Sequence, residues 1–165
     1  MKTVVRKGIF ETNSSSVHTL CIAGQFTNTD SIPEREDLKE YDDVIAVTPD
    51  EYGWSGPNVS GFLEKVRYLM TMILDYKYSW DKEKQEPIPE NMKLELLKND
   101  SDWQDICAVV RTYRHKELLP VIPDGLNYYV DHQSCHSIEN FLNGLSLTEY
   151  LFNPRVFVEI DNDNH

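Results

Sequence analysis

Between residues 58 and 76 the apolar side chains Phe62, Val66, Leu69, Ile73 and Tyr76 recur at intervals of four, three, four and three. That spacing lays them on one face of an α-helix, so the stretch is expected to be a helix covering a sheet. The β-type runs around it are short. Residues 2–6, 17–23, 43–48 and 156–160 read as strands, with Gly8 a turn after the first. Asp43 to Thr48 is a compact β-branched run closed by Pro49, expected as a buried strand.

The remaining punctuation fills in the order of elements. Residues 24–42 are polar and read as an exposed connector, and residues 79–89, with Pro87 and Pro89, as an exposed crossing. A short helix is expected over 90–98. Ser101-Asp-Trp-Gln104 has the form of a capping box opening a helix that ends near Arg114-His115-Lys116. Pro123-Asp-Gly125 between two short apolar runs, 118–122 and 126–130, predicts a hairpin or a strand-turn-strand. Ser137 opens a further short helix stopped by Gly144, and Ser146-Leu-Thr-Glu149 is another capping box, opening a turn that ends before Pro154. Strands and helices do not alternate strictly, which argues for α+β. The expectation is a single domain over 1–165: a small mixed or antiparallel sheet covered by one long helix and two to three shorter ones.

Composition narrows the function. The formal charge is −12, with 28 acidic against 16 basic residues. Such a charge opposes general binding to nucleic-acid phosphate and suits docking on a basic partner, even one that occupies a nucleic-acid groove. No stretch approaches the roughly 18 uncharged apolar residues that cross a bilayer, so no membrane role is expected. Cys21, Cys107 and Cys135 form no tight pair in sequence and no leader precedes them, so a reducing cytoplasm is the expected location, with the thiols as buried small apolar groups.

The polar chemistry is unevenly placed. From Arg6 to His18 the chain concentrates a cation, Glu11, Asn13, the serines Ser14, Ser15 and Ser16, and an imidazole. Asp131 and His132 follow one apolar run near the other end, and Asp161 and Asp163 follow the last. An Arg fork with serine hydroxyls and amides can cradle an anion, and His can move a proton near neutral pH. The first reading is therefore a pocket acting on a nucleotide or other anionic small molecule. In it Arg6, Asn13 and Ser14 to Ser16 bind the anion, and His18 and His132 shuttle protons. Glu11 and Asp131 orient them, and Asp161 and Asp163 hold a divalent metal ion. The competing reading is an acidic, non-catalytic protein that binds a host factor, its polar blocks serving as internal cross-links.

Other constellations carry less. No Gly-x-Ser-x-Gly elbow supports a serine triad. His18-x-x-Cys21 and His132-x-x-Cys135 have the spacing for zinc, but a strand would point His18 and Cys21 to opposite faces. Trp54 is expected to plug a core edge, and Lys65 and Arg67 to be surface charges on the polar flank of the long helix.

Taken together, Arg6-x-Gly-x-Phe-Glu-Thr-Asn-Ser-Ser-Ser-x-His18, Tyr52-Gly-Trp54, Lys65-x-x-Tyr68-Leu69, Asp131-His-Gln-Ser134, Leu151-Phe-Asn-Pro154 and Ile160-Asp-Asn-Asp-Asn164 resemble a family of uncharacterised bacteriophage and prophage proteins. The likeness is in blocks from end to end, the N-terminal one most specific. It implies a phage-encoded protein of the host cytoplasm and assigns no catalytic role. Ser55-Gly56-Pro57 departs from the acidic residue expected after the tryptophan, which weakens that turn as a ligand site.

Overall fold

The computed structural model describes residues 4–10, 16–23, 43–53, 58–130 and 137–162. They form an α+β fold, with helices and short strands in mixed order. The chain's contacts fall into two units: residues 1–35, 52–65 and 131–165 make one, residues 36–51 and 66–130 the other. No helix among the described residues is long and apolar enough to cross a membrane.

The first unit is built on a three-stranded antiparallel sheet in the order β1 (Val4–Phe10), β2 (Ser16–Ala23) and β9 (Val156–Asn162). Gly8 is not a turn. β1 runs through it, with the register slipping between Arg6 and Gly8, and glycine suits such an irregularity because it lacks a Cβ. β2 is central and buried on both faces. One face carries His18 and Leu20 opposite Ile160 and Val158; the other carries Thr19 and Cys21 opposite Glu159 and Phe157. The far edge of β9 is closed by Val59, whose amide and carbonyl both bond Val158, and by the Asn58 side chain, which accepts from the Ile160 amide.

Two short helices complete this unit, and their capping was legible. Ser137 caps α4 (Ile138–Leu142) by accepting from the Asn140 amide, and Ser146 caps α5 (Leu147–Phe152) by accepting from the Glu149 amide. Behind α4 the chain turns through two left-handed residues, Asn143 and Gly144.

The second unit contains β3 (Val44–Val47), most of α1 (Phe62–Tyr78), α2 (Glu90–Lys98), α3 (Ser101–Arg114) and β7 (Glu117–Pro120). Between α1 and α2 lies a small hairpin of β5 (Trp80–Asp81) and β6 (Glu86–Pro87). Two-residue strands β4 (Glu51–Tyr52) and β8 (Tyr129–Val130) complete the described elements. Five helices stand among the described residues, the longest being α1.

The structure sharpens two sequence expectations. Around Pro123-Asp-Gly125 the chain is a strand-turn-strand and not a hairpin: β7 and β8 flank the turn, but β7 pairs with β3, in parallel. Gly125 does turn the chain, at φ +74°. A turn signal says that the chain reverses, not which strand it then pairs with. The cap of α3 is Asp100, one residue before the expected Ser101. Its carboxylate accepts from the Asp102 and Trp103 amides, and a carboxylate suits the positive pole of a helix.

α1 is the most buried element. Every residue from Phe62 to Leu74 is buried, including four polar ones, so the helix is enclosed all round and not only along its apolar stripe. Enclosure obliges buried polar groups to find partners. The Arg67 guanidinium donates to the Thr48 carbonyl at 3.0 Å and pairs with Asp50 at 3.1 Å, while the Thr71 hydroxyl accepts from the Asp50 amide. The expectation of surface charges at Lys65 and Arg67 is thus overturned.

Candidate functional site

Strand register decides which of the predicted polar residues come together. Ser16 lies opposite Asn162, Val17 opposite Asp161 and His18 opposite Ile160. Phe10, on the other side of residues 11–15, lies opposite His18. The strand ends flanking the serine block and the end of β9 therefore share one end of one sheet. Arg6 does not share it. Its backbone lies opposite Cys21, five residues along β2 from Ser16, or roughly 16 Å at strand rise. Glu11, Asn13, Ser14, Ser15, Asp131, His132 and Asp163 lie outside the described residues, as do Trp54 and Cys135.

His18 itself is fully buried on the sheet face that carries Leu20, Val158 and Ile160. A proton shuttle has to reach its substrate. On this face the imidazole is closed off from solvent. Cys21 points to the opposite face, where its thiol donates to the Glu159 carboxylate at 3.6 Å. His18 and Cys21 therefore do not converge on a zinc ion, as strand geometry required. Among the described residues no group of three or more His, Cys, Asp or Glu side chains is placed to hold a metal ion.

Of the two described thiols, one is buried as expected and the other only in part. Cys21 is buried, and half-buried Cys107 has its pKa pushed up to about 11 by burial, which makes it a poor nucleophile near neutral pH.

Two polar constellations were missed. In the first unit Lys65, only 1 % exposed, donates from Nζ to the Asn153 carbonyl at 2.9 Å and sits 5.8 Å from the centre of the Tyr150 ring. Asn153 closes the C-terminal end of α5, where carbonyls lack helical partners and the dipole is negative, so an ammonium suits the position. Burial without a carboxylate lowers the Lys65 pKa to about 8. The Tyr150 hydroxyl is fully buried with no hydrogen-bond partner, and burial, assisted by neighbouring Tyr52, raises its pKa well above the ordinary value.

In the second unit Glu90 accepts from Lys93 at 2.7 Å and from the Tyr128 hydroxyl at 2.9 Å, and the Lys93 ammonium lies 5.3 Å from the Tyr128 ring centre. Nearby Asp75 accepts from the Val130 amide, and burial raises its pKa against that hydrogen bond and the Lys93 charge. This network ties β8 and α2 to α1, and its donors and acceptors satisfy one another. The signal for Lys65 lay in the helix itself, since Glu64, Lys65 and Arg67 interrupt a run that is otherwise almost wholly apolar.

The chain matches no protein-family model, no curated protein and no solved structure.

Proposed function

We propose that this chain is an acidic, non-catalytic phage-type protein that docks on a basic partner protein of the host. The observation that supports this is how the described cations are spent. Arg67, Lys77, Lys84, Lys93, Lys98 and Arg111 each pair with a carboxylate of the same chain. Asp105, Asp124, Glu139 and Glu149, on α3, a turn, α4 and α5, are meanwhile exposed. A chain with twelve surplus negative charges that also neutralises these six cations internally presents the surplus outward. Fields of that kind accelerate and orient encounters with positively charged surfaces. The polar groups described so far cap helices and tie elements together, as the binding reading requires.

The test is affinity capture from a bacterial lysate followed by salt and competitor titration. A basic partner should be retained at low salt, released progressively as salt rises, and displaced by duplex DNA if it uses a nucleic-acid groove. Capture should be unchanged by a folded His18→Gln variant. Retention that is indifferent to salt, or loss of capture in that variant, would sink the reading.

One observation favours the alternative, an anion pocket at the sheet end: the pairing of Ser16 and Val17 with Asn162 and Asp161. In that reading Ser14 to Ser16 bind the anion, Asp161 holds a divalent ion and His132 serves as the base. Calorimetric titration with manganese and a nucleoside phosphate checks it. An isotherm abolished by Asp161→Asn supports the pocket, and no heat under either ligand removes it.

A further inference from the structure

The most buried cation among the described residues has no counter-charge. Arg67, Lys77 and Lys93, each at least partly buried, meet carboxylates at 3.1, 2.8 and 2.7 Å. Lys65 is more deeply buried than any of them and forms no ion pair, although the chain has 28 acidic residues to offer. An ammonium has three protons, and the Asn153 carbonyl takes one. Its other attractive contact is the face of the Tyr150 ring.

The same tyrosine supplies a second unmet donor, for its hydroxyl is enclosed without an acceptor. Leaving buried donors unsatisfied costs free energy of about 1–3 kcal/mol each, more for a charge. What the pair lacks is an acceptor, and for the ammonium a negative one.

We propose that Lys65 and Tyr150 are the donor walls of a binding site for a small inorganic monoanion of halide size. The surroundings set the chemical class. Phe141 meets the Tyr150 ring edge-on at 5.5 Å, and Phe62 stacks on Phe152 at 5.1 Å within the same unit. An aromatic setting with two donors penalises a strongly hydrated or doubly charged ion, which would lose more hydration than two donors return. Bromide and chloride fit that description better than fluoride or sulfate. A bound monoanion would neutralise the Lys65 ammonium, favour its charged form and fasten the first turn of α1 to the end of α5.

The experiment is thermal unfolding of the full chain at pH 7 in bromide, chloride, fluoride and sulfate at matched ionic strength, with chlorine-35 line broadening as a direct binding readout. The wild type should show a saturable stabilisation in the order bromide, chloride, fluoride, and a line broadening that bromide competes away. Tyr150→Phe keeps the ring and its packing, so it should fold and bind about 10-fold more weakly, the equivalent of one hydrogen bond to a charged group. Lys65→Met should abolish both signals. An equal response in wild type and both variants would mean a general salt effect and overturn the proposal. Absence of line broadening in the wild type would overturn it too, leaving water as the acceptor.

Discussion

Lys65 shows how one side chain can couple burial to pH. Its pKa is about 8 when folded and near the ordinary 10.5 when unfolded. Between those values the unfolded chain binds more protons than the folded one, so stability rises with pH across that window; below 8 and above 10.5 this residue contributes no slope. The shift corresponds to roughly 3 kcal/mol withheld from the fold at neutral pH. In halide-free buffer Lys65→Met should therefore stabilise the protein at pH 7 by about 1–2 kcal/mol, after the lost Asn153 hydrogen bond, and flatten the rise toward pH 10. Urea unfolding at several pH values checks both effects. Asp100 works in the other direction. Burial alone would raise its carboxyl pKa, but hydrogen bonds from Lys77, Tyr78 and the Trp103 amide bring it below the ordinary value. Its contribution is thus present above about pH 4 and lost as pH falls further. Asp100→Ala removes the α3 cap together with two side-chain partners and should cost about 2–3 kcal/mol in the same assay.

At the scale of elements, local chemistry was legible and pairing was not. Serine caps, the β-branched run at 43–48 and the apolar repeat of α1 each follow from a few neighbouring residues, and the structure places β3, α1, α2, α4, α5 and β9 where those signals stand. The parallel pairing of β3 with β7 depends on segments some seventy residues apart, and the turn at Gly125 could not tell a hairpin from a strand-turn-strand. The polar flank of α1 misled for a related reason. A helical repeat predicts one buried face, whereas enclosure of the whole circumference depends on what packs around it, so Lys65 and Arg67 read as surface charges. For the candidate site, the sequence placed the serine block beside a strand end, and the register brings that end to Asp161. The distance of Arg6 along β2 could not be read without the register. Gly125 gives a check on the turn itself: its φ of +74° is unfavourable for other residues and a Cβ there meets nothing within 4 Å, so Gly125→Ala should cost about 1 kcal/mol from backbone strain alone. A loss above about 3 kcal/mol in chemical unfolding would mean that strain is not the whole cause.

For the whole molecule the dominant quantity is charge. Six basic side chains among the described residues are held in ion pairs, while acidic ones remain exposed on helices and turns of both units. The same charge that would steer a basic partner also repels itself, so moderate salt should stabilise the free protein while weakening its complexes. That opposition separates docking by surface charge from docking by an apolar patch, which salt would leave intact or strengthen. The most direct test is the salt dependence of affinity for the captured partner, measured with the purified pair. The account predicts a basic partner whose association constant falls steeply and linearly on a log–log salt plot, in wild type and His18→Gln alike. A salt-independent affinity, or one lost with His18, would contradict it.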